Sequence, residues 1–447
     1  ALTGQIQQSM IGRNVGLLHE LPDQLAIMRG LTKWADRIPS PAAAPGLVNE
    51  AFRRLLSGRR RPVALECAMD TWARRAPVEL IGKPAAADPC PVDEEAVERA
   101  AKLLGGAERP MIVVGGGAQG AGGYVQRIAE LLDAPVMTGR MGQGVIDGRH
   151  RLSVTAPAGY RFWGEADVVL AVGTRLQPPQ QNWGIDDGLK IVRIDADSEE
   201  LDRHRKPAIG IVGDATATLK VLADRLAGHN RKRNGRADHV AGIKAASNKK
   251  IHDLLAPQIT YLEAMRKALP EDGILVDELT QMGYAARFAW PTYQPRTFLS
   301  PGYQGTLGWG YATALGAKIA RPDTAVLSIS GDGGFMFTAM EMATAAQHGI
   351  GVVAVVFSDG AFGNVRRIQQ QSFNNRTIAT ELRNPDFVKL AESFGIDAVR
   401  VGSPDELGAA IARGIARGAP LLIDCPVGQF PDPWPLVTLP PIRPRRS

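Results

Sequence analysis

The sequence predicts an α/β protein with three doubly wound parallel-sheet domains. Apolar runs of strand length alternate with amphipathic stretches of helical length, which is typical of parallel sheets. Glycine (49) and proline (31) are plentiful, and aromatic residues make up 6% of the 447, which favours many short connections. A chain of this length is expected to form two or three domains, each able to bury a core.

The first domain is predicted over residues 1–80, with an amphipathic helix over 45–57 and a strand over 62–66. The opening Ala1-Leu2-Thr3 has neither a methionine nor a capping signal, so we expect an N-terminal portion of this domain to be missing. A linker rich in proline and alanine is expected over 83–91.

The second and third domains are predicted over 92–228 and 251–430, joined by a polar stretch that would be a linker or an exposed helix. In the second domain we predict a helix over 94–104 and strands over 111–114, 134–138, 168–172 and 190–195. In the third we predict helices over 260–269, 311–319 and 335–347, and strands over 274–276, 325–329, 352–357 and 421–424.

Charge and cysteine usage narrow the functional classes. The net charge of +6 comes partly from clusters at 59–61, 231–233 and 443–446, which indicate solvated surface more than a nucleic-acid stripe. No uncharged apolar run approaches the ~18 residues of a membrane span, and no signal peptide is recognisable. Cys67, Cys90 and Cys425 form neither a disulfide framework nor a zinc motif, so a cytoplasmic protein is expected.

A glycine turn, Gly331-Asp332-Gly333-Gly334, follows the strand predicted over 325–329 and precedes the predicted helix over 335–347. Backbone N–H groups and a helix N-terminus at the carboxyl edge of a sheet favour a phosphate. A carboxylate there repels a bare phosphate, so Asp332 indicates a divalent cation between them. Asp359, after the next strand, offers a second oxygen ligand for Mg²⁺. Both could instead cap helices or turns, and the local sequence leaves that alternative open.

This pattern resembles the signature of thiamine-diphosphate-dependent enzymes, in which a Gly-Asp-Gly is followed, one helix and one strand later, by Asn or Asp. Residues 335–345 also resemble the acetolactate synthase branch. The resemblance implies three magnesium ligands: the side chains of Asp332 and Asp359 and the main-chain oxygen of Ala361. Most relatives carry Asn where this chain has Asp359. Cofactor contacts are implied for Gly331, Asp332, Gly333, Gly334, Asp359, Phe362, Gly363 and Asn364.

Two further segments extend the resemblance. Residues 305–310 resemble the turn that holds the cofactor's pyrimidine, with Gly305 in the turn and Leu307 where a bulky apolar side chain bends the cofactor into a V. Residues 277–281 resemble the segment that holds the diphosphate, with Glu278, Thr280 and Gln281 as contacts. Taken alone, Leu307 could be a core leucine and Glu278 a neighbour of a helix N-cap.

The first domain resembles the second half of the family's pyrimidine-binding domain. The glutamate that activates the cofactor lies in the half that this chain lacks, and no acid here aligns with it. His19 falls where acetolactate synthases carry a glutamine, so it is predicted to contact substrate; an ordinary surface or core histidine is the alternative. The central domain is Rossmann-like in the family and binds FAD in some members. Its Gly115 to Gly120 segment contains GxGxxG after a strand, so FAD is an open alternative.

The resemblance implies a magnesium- and thiamine-diphosphate-dependent carboligase or decarboxylase of 2-keto acids, similar to acetolactate synthase. Ile368 stands where acetolactate synthases usually carry a tryptophan, which puts acetolactate synthesis itself in question. Family sites are shared between subunits, so a homodimer or homotetramer is expected. The alternatives are a non-catalytic cofactor-binding or regulatory homologue, and a flavin or nicotinamide oxidoreductase.

Overall fold

The computed structural model describes residues 1–83, 85–231, 233 and 235–444, which divide into two compact units. Unit 1 comprises Ala1–Asp93 with the short segments Ala196–Ser198 and Val212–Asp214, and unit 2 comprises the rest. The predicted domain limits of 1–80, 92–228 and 251–430 stay predictions. The clustered basic residues Lys232, Arg445 and Arg446 lie outside the described residues.

Unit 1 contains a small parallel sheet in the order β1-β3-β2. The helix predicted over 45–57 is observed as α2. The strand predicted over 62–66 is observed as β3 and begins two residues later than predicted. The elements are β1 (Leu2–Gln5), α1 (Gln24–Leu31), β2 (Ala35–Ile38), α2 (Ala44–Leu56), β3 (Ala64–Ala68) and α3 (Met69–Trp72).

The first sheet of unit 2 has the order β6-β5-β4-β7-β8-β9, and helices alternate with its strands. Its central strands are continuous apolar runs because helices cover both faces. The elements are α4 (Glu94–Gly106), β4 (Met111–Val114), α5 (Gly122–Leu132), β5 (Val136–Thr138), β6 (Ser153–Val154), α6 (Ala156–Glu165), β7 (Val168–Val172), β8 (Lys190–Asp195), α7 (Ser198–Asp202), β9 (Ile209–Val212) and α8 (Ala215–His229).

A long helix, α9 (Ala237–Ala268), follows this sheet and includes most of the polar stretch that could have been a linker. Leu255 has non-helical φ and ψ (−118° and 23°), two residues before Pro257. Proline cannot donate the helical hydrogen bond and crowds the preceding turn, so the helix is kinked there. No helix in the described part of the chain is both long enough and hydrophobic enough to span a bilayer.

The second sheet of unit 2 has the order β11-β10-β12-β13-β15-β14, and all of its pairings are parallel. The elements are β10 (Ile274–Val276), α10 (Gln281–Ala289), β11 (Phe298–Leu299), α11 (Trp309–Ala320), β12 (Val326–Gly331), α12 (Asp332–Phe335), α13 (Met342–His348), β13 (Val352–Ser358), α14 (Gly363–Ser372), α15 (Phe387–Ser393), β14 (Asp397–Arg400), α16 (Pro404–Arg417), β15 (Leu421–Pro426) and α17 (Trp434–Val437).

Both faces of the central part of this sheet are buried, which explains why β10, β12 and β13 are mainly apolar. Leu327 and Val353 belong to a core that includes residues of α9, α10 and α16, whereas Val326 and Val352 belong to a second core with α11, α13 and α15. Successive side chains of a strand point to opposite faces, so each strand supplies both cores. The three parallel sheets confirm the predicted fold class.

The single helix predicted over 335–347 is wrong. The chain forms the one-turn α12, a turn, a 3-10 turn at Ala339–Glu341 and then α13. Thr338 Oγ1 donates a hydrogen bond to Gly308 O (3.1 Å), and a Cβ at Gly308 would lie only 2.7 Å from Phe337 Cβ. Packing against the turn before α11 therefore interrupts the helix that local pattern favours.

Candidate active site

Three neighbouring strands end at one edge of the second sheet of unit 2. The strands β10, β12 and β13 lie side by side and run parallel, so their carboxyl ends meet. Asp332 follows β12 and Asp359 follows β13, while residues 277–280 lead from β10 into α10. This edge is where open α/β sheets bind ligands.

The carboxylate of Asp332 is almost fully buried and receives three hydrogen bonds from neutral donors. Oδ1 accepts from Gly333 N (2.9 Å), and Oδ2 accepts from Gly360 N (2.7 Å) and from Asn384 Nδ2 (2.6 Å). Its exposed fraction is 1%. These bonds fix the orientation of Asp332 across the gap between β12 and β13.

Asp359 lies close enough to Asp332 for the two charges to interact. Burial, and then the negative charge of Asp332, raise the pKa of Asp359 above its ordinary value. Asp359 Oδ1 accepts a hydrogen bond from Ala361 N (3.1 Å), and Ala361 itself pairs with Glu381 in an isolated antiparallel bridge. Two carboxylates thus approach one another at the sheet edge.

This pair of carboxylates has no countercharge in direct contact. Across the described residues, no lysine, arginine or histidine forms an ion pair with Asp332 or Asp359. Placing two like charges in a poorly solvated site is unfavourable unless a cation joins them. Two carboxylates supply the hard oxygen donors that Mg²⁺ prefers, so this donor set fits Mg²⁺.

Gln281, the first residue of α10, carries a buried oxygen that lacks a partner. Its Oε1 has no hydrogen-bond donor among the described residues. A Cβ at Gly363 would lie 3.2 Å from Asp359 Oδ2 and 3.9 Å from Gln281 Nε2, so the amide and the carboxylate flank the same glycine. Thr280 caps α10, since its Oγ1 accepts from Gly283 N (3.0 Å). An unsatisfied amide beside the carboxylate pair is consistent with a polar ligand there.

Glu278 is fully buried and bonded within the protein. Its Oε2 accepts from Ser330 Oγ (2.8 Å), and its Oε1 accepts from Gly308 N at the start of α11. Burial raises the pKa of Glu278, and the hydrogen bond from Ser330 and those from the amides at the start of α11 oppose this rise. The carboxylate therefore ties β10, β12 and α11 together, while its predicted contact with the cofactor stays a prediction.

Two glycines of the turn after β12, Gly333 and Gly334, are required by packing. A Cβ at Gly333 would lie 2.5 Å from the ring of Phe362, and a Cβ at Gly334 would lie 2.6 Å from Glu278 Oε1. Gly331 has extended φ and ψ and precedes α12. Phe362 precedes α14, and its N–H donates to Thr380 O (2.8 Å). Gly333 and Gly334 are therefore already explained by their protein neighbours. The predicted contacts of these residues with a cofactor stay predictions.

The predicted pyrimidine turn lies before α11. Gly305 and Gly308 have φ of +57° and +79°, in the left-handed region that favours glycine. Leu307 lies between them and is half-buried, so part of its side chain remains accessible. Asn364, in the first turn of α14, accepts hydrogen bonds from Arg367 Nη2 (3.0 Å) and Nε (3.3 Å). Their roles toward a cofactor stay predictions.

His19 belongs to unit 1, where it is exposed in a turn with φ of +66°. Next to it, Glu20 Oε2 accepts hydrogen bonds from the backbone N–H groups of Gly16 (2.7 Å) and Leu17 (2.9 Å), which stabilises this turn. A contact between His19 and substrate stays a prediction.

Asn384 and Ser330 are functional neighbours that the sequence did not indicate. Asn384 is 52 positions from Asp332, in the connection before α15, and only an Asn-Pro turn signal marks it. Ser330 lies inside an apolar strand, where a single serine gives no signal. Asn384 orients a carboxylate of the site and Ser330 orients Glu278.

The glycine turn after β4, which suggested FAD, is filled by protein. The N–H groups of Gly115 and Gly117 donate to Val172 O (3.0 Å) and Gly173 O (3.1 Å). A Cβ at Gly115 would lie 2.4 Å from Gly173 O. The glycines therefore permit close packing on the turn after β7, and these two amides are already bonded.

Comparison with known proteins agrees with the geometry of both sheets. Residues 97–222 match the central domain of thiamine pyrophosphate enzymes, and residues 279–425 match their C-terminal TPP-binding domain. A probable 2-ketoarginine decarboxylase of Pseudomonas aeruginosa is 31% identical over 93% of this chain and 75% of that protein. A probable acetolactate synthase large subunit of Methanocaldococcus jannaschii is 31% identical over 95% of this chain and 76% of that protein.

A sulfoacetaldehyde acetyltransferase of Alcaligenes xylosoxydans xylosoxydans is 29% identical over 91% of this chain and 74% of that protein. Relatives with different named activities thus match most of the length of this chain. The chain belongs to the thiamine-diphosphate-dependent enzyme family, in the branch that includes the acetolactate synthase large subunits.

Proposed function

We propose that this chain binds thiamine diphosphate through Mg²⁺ and acts on 2-keto acids as a decarboxylase or carboligase. The observation that carries the proposal is the pair of carboxylates, Asp332 and Asp359, which forms no ion pair with a cation among the described residues and lies beside the unsatisfied amide of Gln281. The relatives named above as a decarboxylase, a synthase and an acetyltransferase support a shared cofactor and different substrates.

The residues of this chain would bind and orient the cofactor. Asp332 and Asp359, with the main-chain oxygen of Ala361, would hold the Mg²⁺ that neutralises the diphosphate. Leu307 would press against the cofactor from the turn before α11, and Gln281 would bond a polar atom near the metal. When bound, thiamine diphosphate supplies the carbanion that attacks a keto-acid carbonyl and the electron sink that permits loss of CO₂.

Calorimetric titration with thiamine diphosphate, with and without Mg²⁺, tests the cofactor part of the proposal. We expect binding to require Mg²⁺ and to weaken at least ~10-fold in Asp332→Asn, since a ligand carboxylate is lost. Asp424→Asn is the matched control: Asp424 is 3% exposed at the end of β15 and is bonded to Ser358 and Arg400. Cofactor binding that is unchanged both by omitting Mg²⁺ and by Asp332→Asn would exclude the proposed site.

Release of CO₂ from a panel of 2-keto acids, with analysis of the organic product, tests the activity. Aldehyde alone indicates a decarboxylase, and a hydroxyketone indicates a carboligase. Cofactor binding without turnover of any 2-keto acid would favour the non-catalytic homologue. Ile368 is 40% exposed on α14, where acetolactate synthases usually carry tryptophan, so a product other than acetolactate is expected.

A homodimer or homotetramer is part of the same proposal. Large apolar side chains beside the glycine turn and on α14 are exposed: Phe337 by 57%, Met340 by 62% and Val365 by 49%. Exposed apolar groups grouped in this way are typical of an interface. The molar mass from light scattering should be at least that of a dimer. The double variant Phe337→Ser with Met340→Ser should lower it toward that of a monomer. Ile319→Ser, at a side chain 65% exposed at the end of α11, serves as the control.

A further inference from the structure

A group of arginines surrounds two aromatic rings beside the proposed thiamine-diphosphate site. The rings of Tyr284 and Trp434 lie with their centroids 5.4 Å apart. The guanidinium carbon of Arg287 is 4.7 Å from the Tyr284 centroid, and that of Arg367 is 4.7 Å from the Trp434 centroid. Cations over aromatic faces are favourable, so both guanidinium groups have defined positions.

A third arginine, Arg140, reaches the same place from the loop after β5. Its Nη2 donates to Gly302 O (3.0 Å). Burial raises the pKa of Tyr284, and the positive charges of Arg287, Arg140 and Arg367 oppose that rise. These three residues, from separate segments of unit 2, are called the arginine cluster below.

The arginine cluster is poorly neutralised by the protein. Asp277 Oδ2 is 3.9 Å from Arg287 Nε, and Asp432 Oδ2 is 3.9 Å from Arg367 Nη1, both beyond hydrogen-bond distance. Within the described residues, Nε and Nη2 of Arg287 and Nε1 of Trp434 have no acceptor. Burial raises the pKa of Asp277 to about 7, so part of its charge is absent at neutral pH.

The arginine cluster adjoins the residues assigned to the cofactor. Arg367 is bonded to Asn364 in the first turn of α14, and Tyr284 lies on α10, which begins at the unsatisfied Gln281. The side chains of Arg287 and Arg367 are 15% and 18% exposed, whereas the unpartnered Nε and Nη2 of Arg287 are themselves buried. A site with excess positive charge and guanidinium N–H groups that lack an acceptor favours binding of an oxyanion.

The leaving carboxylate of a 2-keto acid is a poor candidate for this oxyanion. In the transition state the negative charge of the leaving carboxylate moves toward the cofactor. Strong binding of this carboxylate therefore stabilises the substrate more than the transition state and opposes loss of CO₂. A group that keeps its charge throughout the reaction has no such conflict. We propose that the arginine cluster binds a second anionic group of the substrate, so that the preferred substrates are 2-keto dicarboxylates; this inference rests on the proposed function.

Three matched five-carbon 2-keto acids test the inference: 2-oxoglutarate, 2-oxopentanoate and 5-guanidino-2-oxopentanoate. They end in a carboxylate, a methyl and a guanidinium group. We expect kcat/KM for CO₂ release to favour 2-oxoglutarate over 2-oxopentanoate by about tenfold or more, and the cationic acid to be the poorest. Equal values for the three acids, or a preference for the cationic one, overturn the inference.

Arg140→Met tests the cluster directly, since Arg140 is half-buried and its loss breaks one hydrogen bond to a backbone carbonyl. KM for 2-oxoglutarate should rise about tenfold with kcat nearly unchanged, and values for 2-oxopentanoate should stay constant. Arg266→Met is the matched control: Arg266 is also partly buried, stacks on Trp290 at 4.8 Å, and lies outside the cluster. A rise in KM for both acids in Arg140→Met contradicts the assignment.

A binding measurement separates this inference from the proposed function. Glutarate and pentanoate, which cannot react, are titrated into the chain without thiamine diphosphate and followed by ligand NMR line broadening. Glutarate should bind at least several-fold tighter, and Arg140→Met should abolish the difference while Arg266→Met keeps it. If the cofactor binds in a Mg²⁺-dependent way but glutarate and pentanoate bind with equal affinity, the role of the arginine cluster is overturned and the proposed cofactor site is not.

Discussion

The substitution Asp277→Asn tests whether burial or the charge of Arg287 controls the ionisation of Asp277. The residue ends β10 with no exposed surface, and burial raises the pKa of its carboxyl from 3.8 to about 7. Arg287 lies 3.9 Å away, and its charge offsets only part of the cost of burying a carboxylate.

The sign of the pH dependence follows from the raised pKa. Between about pH 4 and about pH 7 the unfolded chain loses this proton while the folded chain keeps it, so stability falls as pH rises through that window. A shift of about three pH units corresponds to about 4 kcal/mol. The stabilising contribution of protonated Asp277 is complete below about pH 4 and is lost above about pH 7.

An amide at this position cannot ionise, so Asp277→Asn removes that part of the pH dependence. Urea unfolding of both proteins from pH 4.5 to pH 8.5 is the measurement. The stability of the variant relative to the parent should rise with pH by up to about 4 kcal/mol and level off near pH 8. Asp424→Asn should instead lower stability, because it replaces a carboxylate that accepts hydrogen bonds from Ser358 and Arg400.

The result that would refute this reasoning is a constant difference between Asp277→Asn and the parent across the range. A variant that becomes less stable as pH rises would show that the Arg287 charge outweighs burial. In that case Asp277 would neutralise Arg287 fully at neutral pH, and the positive surplus of the arginine cluster would be smaller.

Three other substitutions address the cofactor site. Gly333→Ala puts a Cβ 2.5 Å from the Phe362 ring, so urea unfolding should show a loss of about 1–3 kcal/mol, and an unchanged midpoint would contradict the close packing. Glu278→Ala leaves the Ser330 hydroxyl and an amide of α11 without an acceptor, and should lower stability by roughly 3 kcal/mol in the same assay; a neutral effect would show that water replaces the carboxylate. Asn384→Ala removes the 2.6 Å hydrogen bond to Asp332, and should raise the Mg²⁺ concentration needed for cofactor binding about tenfold without unfolding the chain; an unchanged requirement would exclude an orienting role.

The fold was predictable where burial alone determines structure. The strands predicted over 111–114, 168–172 and 274–276 match β4, β7 and β10, because a strand covered on both faces must be apolar throughout. The strand predicted over 190–195 matches β8, which is apolar only in part. Short edge strands such as Phe298–Leu299 were missed, because two residues carry no periodic signal. The helix over 335–347 was wrong because a contact with Gly308, about 30 positions away, overrides local propensity.

The site was predictable to the extent that it depends on strand order. Asp332 and Asp359 follow consecutive strands, and consecutive parallel strands commonly lie side by side, so their approach could be inferred. The bond from Asn384 to Asp332 could not, because it comes from a connection with no periodic pattern. The arginine cluster was also missed, since Arg140, Arg287 and Arg367 lie on three segments that only tertiary packing brings together.

The two glycine turns of unit 2 show which sequence features identify a ligand site in this chain. At Gly115 and Gly117 the glycines let one turn pack on another, and their amides are bonded to protein oxygens. At Gly333 and Gly334 the glycines are likewise explained by packing, against Phe362 and Glu278. Glycine spacing therefore does not distinguish the turns. The distinction lies in charge: the second turn holds the buried carboxylate of Asp332, near that of Asp359, and neither forms an ion pair with a cation among the described residues. Such a group persists in a protein when a ligand completes it.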